Sequence, residues 1–191
     1  MAPRSSQLSL STHVQSTKAP WTSLLVLKTG QRAESLLPAP QGFVIKVLKG
    51  SKCRSRAALF AEFARVLAFP DYFGHNWDAL EECLADLEWL PASGYVLLLL
   101  DADQILPDDE EEYETFLEVL SDAGEAWGSG QTASGSKRAK PFHVILAVAE
   151  KDRSRRSHWG LEELSSKAPK AGGAAPSSRR TNAHRRSARS S

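Results

Sequence analysis

The chain has 191 residues, of which 41% are hydrophobic and 25% are charged, which is enough to bury one sizeable core. No apolar run is long enough to cross a bilayer, and the first residues (MAPRSSQLSLST) lack the apolar region of a signal peptide. We therefore expect a cytoplasmic protein without a membrane partner. Cys53 and Cys83 show no metal-binding spacing, so reduced thiols are expected, and neither a metal nor a cofactor is.

The charges are segregated along the chain, although the formal net charge is only +1. Residues 60–126 contain eighteen acids and a single base, Arg65, whereas residues 151–191 contain eleven bases and three acids. An acidic segment of this size predicts a basic partner, and its charge would repel the phosphates of nucleic acid. We expect nucleic acid only as a weak ligand of the basic segment.

The N-terminal part shows little regular patterning. Residues 1–20 are rich in Ser, Thr and Pro, which predicts a flexible segment. Residues 21–27 (WTSLLVL) are predicted to form a short strand, and residues 34–37 a helical turn. Together, residues 21–42 are interpreted as a strand-and-turn extension that precedes the main domain.

From residue 43 onward, hydrophobic periodicity predicts alternating strands and helices. The segment FVIKVLKG at 43–50 is β-branched and apolar, which predicts a strand. Ser55 is placed to cap a helix that ends before Pro70, and Asn76 is placed to cap the next helix. Apolar residues at helical spacing predict the buried side of this second helix: Leu80, Cys83, Leu84 and Leu87.

The second half of the domain contains two more predicted strands. The segment YVLLLL at 95–100 is apolar on both faces, which is typical of a parallel sheet covered by helices. A helix with an acidic first turn follows, then a loop at 127–140 and a strand at 141–150. The order β-α-α-β-α-β predicts an α/β domain over 43–150 with a small three-stranded parallel sheet packed with helices.

The C-terminal residues 151–191 are low in bulky apolar side chains and rich in Arg, Ser, Ala and Pro. This composition predicts a disordered basic tail. Three roles stay open for it: a solubilising extension, a weak RNA-binding arm, or a cover for the acidic part of the same chain.

The segment FPDYFGHNWDALEECLADLEW at 69–89 combines an aromatic turn with an acidic helix. Gly74 is expected to let the chain bend, and the rings of Tyr72, Phe73 and Trp77 surround this bend. A solvated helix face is the simpler interpretation of the acids that follow. However, acids of one sign repel, and their display beside aromatic rings favours an interface for a basic protein. The acids on the accessible side of the helix are Asp78, Glu81, Glu82 and Asp86.

This segment resembles the barstar family, which are intracellular inhibitors of secreted guanyl-type ribonucleases. The family pattern is an apolar-Pro-acid-Tyr-aromatic-Gly turn followed by Asn-x-Asp-Ala-Leu, and this chain reads FPDYFG at 69–74 and NWDAL at 76–80. The resemblance covers about 43–149. It implies a barstar-like fold, no enzymatic activity, no cofactor, and a 1:1 complex with a basic secreted-type ribonuclease, as in antitoxin or immunity pairs.

The resemblance also implies roles for single residues. Tyr72 matches the aromatic residue that stacks on the nuclease, and Asp78 matches the first aspartate of the binding helix. Glu82 matches the central aspartate, which enters the nuclease active site as a phosphate mimic, and Asp122 matches a glutamate in a secondary salt bridge. The implied partner-binding residues are Tyr72, Phe73, Gly74, Asn76, Trp77, Asp78, Glu81, Glu82 and Asp122.

Three positions differ from the family pattern. Glu82 is one methylene longer than the family aspartate, Glu81 stands where the family has Trp, and His75 stands where it has an acid. These differences largely keep the negative charge of the helix. They leave open a second interpretation, a barstar-like binding module for a basic partner that is not a nuclease.

Asp101 and Asp103 offer an alternative in a different class. They follow the predicted strand at 95–100 at its carboxyl end, where open α/β sheets place their sites. A metal-dependent hydrolase would use such carboxylates to hold Mg²⁺. The sequence offers neither a nucleophile–base pair nor a glycine-rich phosphate loop beside them, and a strand-end Asp that caps a turn is the simpler interpretation.

Overall fold

The computed structural model describes residues 10–37, 39–132, 135, 138–156 and 158–164. Within these ranges, five strands form one sheet and five α-helices pack on it. The strands are β1 (Thr22–Leu27), β2 (Phe43–Lys49), β3 (Gly94–Leu100), β4 (Phe142–Ala149) and β5 (Glu162–Leu164). The helices are α1 (Leu10–His13), α2 (Ala33–Leu36), α3 (Arg56–Leu67), α4 (Trp77–Asp86) and α5 (Glu110–Ser129).

The strand order across the sheet is β2-β3-β4-β1-β5, and every neighbouring pair is parallel. The α/β class and the parallel sheet are therefore confirmed, whereas the prediction of three strands is wrong because the sheet has five. Strand β1 lies between β4 and β5, with Thr22 in register with Val144 and Ser23 in register with Glu162. It is an interior strand of the sheet.

The two additional strands lie outside the predicted domain at 43–150. Strand β5 has only three residues, two of them glutamates, so it has neither the length nor the apolar content by which strands are identified in a sequence. Residues 150–156 and 158–164 continue the folded unit, while residues 157 and 165–191 of the predicted basic tail lie outside the described residues. The N-terminal segment is described from residue 10, and its Leu10 and Val14 are buried.

Each face of the sheet is covered by a different group of helices. Because successive side chains of a strand point to opposite faces, β3 contributes to two separate cores. Helices α3, α4 and α5 cover one face, where Phe63, Leu80 and Phe116 pack with the strand residues Leu97, Leu99, Val144 and Leu146. Helices α1 and α2 cover the other face, where Leu10, Val14 and Ala33 pack with Leu25, Val96, Leu98 and Ile145.

The ends of the helices follow local side-chain chemistry. Ser55 accepts a hydrogen bond from the Ala58 N–H at 3.4 Å and Asn76 accepts one from the Ala79 N–H at 2.8 Å, which confirms both predicted caps. The predicted loop at 127–140 begins too early, because α5 continues to Ser129. Trp127 is buried in this helix, and its Nε1 donates to the Leu84 carbonyl at 2.8 Å, which joins α5 to α4.

Two further sequence-based expectations concern the thiols and the membrane. Cys53 and Cys83 are both free and buried, and burial raises the pKa of the Cys53 thiol to about 12. Within the described ranges, no helix has both the length and the apolar character that a bilayer span requires.

Candidate partner-binding surface

The turn between α3 and α4 is fixed by aromatic packing. After α3, Ala68 adopts the left-handed conformation with φ 52°. Phe73 is only 6% exposed, and its ring packs edge-on against Phe69 and Phe60, with centroid distances of 4.9 and 6.2 Å. The Phe73 N–H donates to the Pro70 carbonyl at 3.0 Å. Phe73 therefore anchors the turn from inside and sets the direction in which α4 begins.

The left-handed residue within this turn is His75, with φ 52°, so the expected bend at Gly74 is placed one residue too early. Histidine is among the residues that tolerate this conformation. Gly74 is constrained by space instead, because a Cβ on it would lie 3.3 Å from Asn76 Nδ2 and 3.4 Å from Ala79 Cβ. The His75 ring also packs on Phe73, with 4.7 Å between the ring centroids.

The first turn of α4 is tied to both neighbouring helices. Trp77 Nε1 donates to Glu112 Oε2 on α5 at 2.7 Å, and Arg56 on α3 donates to Glu112 Oε1 at 2.6 Å. The Trp77 ring also packs edge-on against Phe60 at 5.0 Å. The capping side chain of Asn76 and the indole of Trp77 thus hold α4 in position. Their direct contact with a partner stays a prediction.

Tyr72 lies beside α4 and is displayed to solvent. Its side chain is 71% exposed, and Val47 is the other exposed large hydrophobic residue in the described part of the chain. Partial desolvation raises the pKa of the Tyr72 phenol, and nearby acidic groups raise it further. These groups are the Cys83 thiol and the carboxyls of Asp86, Glu88 and Glu82. The aromatic ring predicted to contact a partner is therefore accessible and lies next to acidic side chains.

Four of the predicted acids form one acidic surface on α4 and α5. The surface consists of Asp78, Glu81, Glu82 and Asp122, all of which are exposed. Partial burial raises the pKa of the Glu81 carboxyl, and the negative charges of Asp122, Asp78 and Glu82 raise it further. The structure thus brings Asp122 of α5 into the electrostatic field of the α4 acids, as the two helices pack together.

Within the described ranges, no residue of the acidic surface forms an ion pair with a cation. Like charges that are one helical turn apart repel each other, so this arrangement disfavours the free surface and favours the arrival of a cationic group. Other acids of the domain are paired with arginines: Glu62 with Arg65, Asp103 with Arg155, and Glu110 with Arg156, each at 2.8 Å.

Asp86, in the last turn of α4, behaves differently from the acids of the acidic surface. It is half-buried, and its Oδ1 has no hydrogen-bond partner among the described residues. Desolvation is the main cause of the raised pKa of Tyr72 and of the buried Tyr95, and the charge of Asp86 raises both further. The sequence pattern places this acid on the accessible side of α4. Its partial burial depends on tertiary packing, which the local sequence does not indicate.

The structure does not bring Asp101 and Asp103, the carboxylates of the alternative hydrolase site, together as ligands for a metal ion. Asp103 is only 7% exposed and pairs with Arg155, which also pairs with Asp152 at 3.0 Å. Asp101 is exposed and adopts a left-handed conformation with φ 51°. In the described part of the chain, no group of three or more His, Cys, Asp or Glu side chains is arranged to hold a metal ion. Asp103 therefore anchors the turn that follows β4.

Comparisons with known proteins assign the central part of the chain to a protein family. The family model for Barstar (barnase inhibitor) matches residues 43–147, which is more than half of the chain. A comparison with curated proteins gives no match. The matched span begins with β2 and ends within β4, and it contains the aromatic turn and the acidic surface, whereas β1 and β5 lie outside it. The chain belongs to the Barstar (barnase inhibitor) family.

Proposed function

We propose that this chain inhibits a basic ribonuclease by covering the active site of the nuclease with the acidic surface. Membership of the family supports an inhibitory role. The observation that carries the proposal is that Asp78, Glu81, Glu82 and Asp122 are exposed together without a cation partner in the described part of the chain. A ribonuclease holds phosphates with cationic side chains, and carboxylates are good substitutes for those phosphates.

Each acid has a defined part in the proposed mechanism. Glu82 supplies the central carboxylate, since its two oxygens accept paired hydrogen bonds from an arginine as a substrate phosphate would. Asp78 lies one turn earlier on the same side of α4, and Asp122 extends the surface onto α5. Long-range attraction between opposite charges would accelerate the encounter and weaken as salt is added.

The turn before α4 supplies shape and rigidity. Tyr72 offers an exposed ring that would pack on the rim of the nuclease active site. Phe73, Asn76 and Trp77 already hold the turn and the helix through contacts within the free protein. Binding then costs little additional conformational entropy, because these groups are ordered beforehand. In this proposal, these three residues act mainly by positioning the exposed ones.

We also propose that the complex is 1:1 and forms in the cytoplasm, where it would protect the cell from the nuclease. A matched experiment tests the central proposal. The purified chain is titrated into an assay of a microbial guanyl-type ribonuclease at low salt, beside the variants Glu82→Gln and Asp78→Asn. Glu34→Gln serves as the control, since Glu34 is an exposed acid of α2 on the opposite face of the sheet.

We expect stoichiometric inhibition by the parent chain and by Glu34→Gln. Each acidic-surface variant loses a charge-assisted hydrogen bond, and its dissociation constant should rise by roughly tenfold or more. Absence of both inhibition and complex formation at low salt would overturn the proposal. Equal loss of inhibition in all three variants would show that only net charge matters, which also contradicts a defined site.

A basic partner that is not a nuclease is the second candidate. The observation that favours it is Glu81, an exposed carboxylate where the family has an aromatic side chain. A more acidic surface with less aromatic area suits a partner recognised mainly by charge. Salt-sensitive binding of a basic protein that Glu82→Gln weakens, combined with no inhibition of the ribonuclease, would support this candidate over the first.

A further inference from the structure

A cleft lies at the carboxyl ends of the neighbouring strands β1 and β4. It has a volume of about 510 Å³ and is lined by residues 27–31, at and after the end of β1, and by residues 149–151, at and after the end of β4. Leu27 and Ala149, the last residues of the two strands, are in register. None of the lining residues belongs to α4 or α5, so the cleft is separate from the acidic surface.

The chain leaves β1 and β4 over opposite faces of the sheet. The connection from β1 to β2 contains α2, whose Ala33 packs in the core beneath α1. The connection from β4 to β5 packs on the α5 face, where the Arg156 guanidinium lies 3.5 Å from the centre of the Tyr113 ring and Trp159 joins the core. The two connections also run toward opposite edges of the sheet. Open parallel sheets bind ligands in the crevice that such a divergence creates.

The charged side chains that line this cleft are Lys28, Lys151 and Glu150, so the lining carries an excess of positive charge that suits an anion. Lys28 and Lys151 follow the two strands, and neither forms an ion pair within the described ranges. The chain turns after β1 because the Gln31 N–H donates to the Lys28 carbonyl at 3.0 Å, with Gly30 at φ 82°. In this turn, the backbone N–H groups of Thr29 and Gly30 donate to no backbone carbonyl of the described residues.

We propose that the cleft binds a small molecule that carries a phosphate or carboxylate group. The anionic group is held by Lys28, Lys151 and these N–H groups of the turn, and the rest of the molecule lies against Leu27 and Ala149. The space beside Gly30 is open, since nothing lies within 4 Å of a Cβ placed there. All lining residues fall outside the family-matched span of 43–147. The site is formed by the ends of β1 and β4 and the residues that follow them.

An NMR titration of the full ¹⁵N-labelled chain tests the site. The probes are AMP, inorganic phosphate and citrate, with adenosine as the uncharged counterpart of AMP. We expect AMP to shift the backbone amides of residues 29–31 and 150–151 saturably, and adenosine to leave them unchanged. Comparison of inorganic phosphate with citrate distinguishes a phosphate ligand from a carboxylate ligand.

A pair of double variants separates a defined site from general charge. Lys28→Gln with Lys151→Gln should weaken AMP binding about tenfold or more, because two charge-assisted contacts are lost. Lys46→Gln with Lys49→Gln makes the same charge change on β2, at the far edge of the sheet, and should leave AMP binding unchanged. Melting temperatures confirm that both proteins fold.

Equal weakening in both double variants, or no shift of these amides with any of the three anions, would overturn the inference. The outcome is independent of the proposed ribonuclease inhibition. Lys28→Gln with Lys151→Gln should inhibit the nuclease as the parent chain does, and Glu82→Gln should bind AMP as the parent chain does.

Discussion

The ring of His13 lies 4.4 Å from the ring of His143, measured between centroids, and both side chains are buried. Each ring has a polar partner: His13 Nε2 is hydrogen-bonded to Ser23 Oγ at 3.2 Å, and His143 Nε2 donates to the Ser16 carbonyl at 2.8 Å. This pair fastens the N-terminal segment to β1 and β4. Because the rings are close together and buried from solvent, protonation of either imidazole is unfavourable in the folded protein.

The first prediction concerns the pH dependence of stability. Burial, and then the neighbouring His143, lowers the pKa of His13 from 6.5 to about 4, and burial also lowers the pKa of His143. Below about pH 6.5 the unfolded chain therefore binds more protons than the folded one. Stability should be fully present above that pH and should fall as the pH decreases toward 4, with about 3 kcal/mol attributable to His13.

Urea unfolding between pH 7.5 and 5 measures the first part of this loss, about 2 kcal/mol for His13. The variant His13→Gln keeps a polar group near Ser23 and removes the titration, so its free energy of unfolding should depend less on pH over this range. Carboxylates titrate mainly below this interval and affect both proteins alike. The same slope for the parent chain and the variant would contradict the prediction.

The second prediction concerns the contact between Trp77 and Glu112. Trp77→Phe retains most of the ring packing but removes the indole donor from the half-buried Glu112. We expect a loss of about 1–3 kcal/mol in the free energy of unfolding, because a hydrogen bond to a charged group is lost. Chemical denaturation measures the loss, and Trp127→Phe, which removes the donor to the Leu84 carbonyl instead, allows the two tryptophans to be compared.

Under the proposed function, Trp77→Phe should also weaken inhibition, since the indole fixes the start of α4. Trp127→Phe lies further along α5 and should lower stability with a smaller effect on inhibition. If Trp77→Phe leaves both stability and inhibition unchanged, the contact with Glu112 has no positioning role.

Two glycines of α5 make room for Trp21, and substituting them yields the third prediction. A Cβ on Gly124 would lie 2.3 Å from Trp21 Cβ, and one on Gly128 would lie 2.1 Å from Trp21 Cη2. Alanine usually stabilises a helix relative to glycine by about 1 kcal/mol. Here the clash should dominate, so Gly124→Ala should lower stability by about 1–3 kcal/mol.

Thermal unfolding of Gly124→Ala, Trp21→Ala and the combined variant tests this contact. The combined variant should lose less stability than the two single variants lose together, because removing the indole also removes the clash. Additive losses would show that Gly124 does not accommodate Trp21. Glu125→Ala, at an exposed position of the same helix, controls for helix propensity.

The fourth prediction concerns proton release when the acidic surface binds its proposed nuclease. In the free chain the pKa of Glu81 is raised by partial burial and then by Asp122, Asp78 and Glu82. A cation from the nuclease would lower this pKa, so the complex favours the ionised carboxyl and affinity should fall as the pH decreases through the range in which Glu81 titrates.

Calorimetric titration at mildly acidic pH, in two buffers with different ionisation enthalpies, measures the released protons. We expect a difference in the apparent binding enthalpy between the buffers, and a smaller difference for Glu81→Gln. The same buffer dependence for Glu81→Gln would assign the proton to another group.

The features predicted correctly from the sequence are those with short-range causes. The caps at Ser55 and Asn76 depend on a side chain that accepts a hydrogen bond from a backbone N–H three residues further on. Both partners lie within four consecutive residues, so the local sequence is enough to predict the cap. The buried residues of α4 follow in the same way from helical periodicity. By contrast, the proximity of Asp122 to Glu81 depends on how α4 packs on α5, and the family resemblance alone indicated it.

The features missed from the sequence depend on contacts between distant segments. Nothing in the six residues of β1 specifies that they lie between β4 and β5, because that position is decided by which strand edges remain unpaired. The burial of His13 has the same origin, since an isolated histidine in a Ser- and Thr-rich segment resembles a flexible residue. The sequence predicts a loop at Trp127 because glycines and serines follow it, although its hydrogen bond to the Leu84 carbonyl keeps it in the helix.

The position of β1 also determines when the sheet can be completed during synthesis. Strand β1 emerges from the ribosome before the other four strands, yet its neighbours in the sheet are β4 and β5, which are translated last of the five. Until then, Leu24 and Leu25 of β1 have no neighbouring strand to pair with. Their pairing also closes a long loop, which consists of the chain between β1 and β4. The nascent chain must keep an apolar strand exposed while the family-matched segment is made, so the slow and aggregation-prone interval of folding should last until β4 and β5 have been translated.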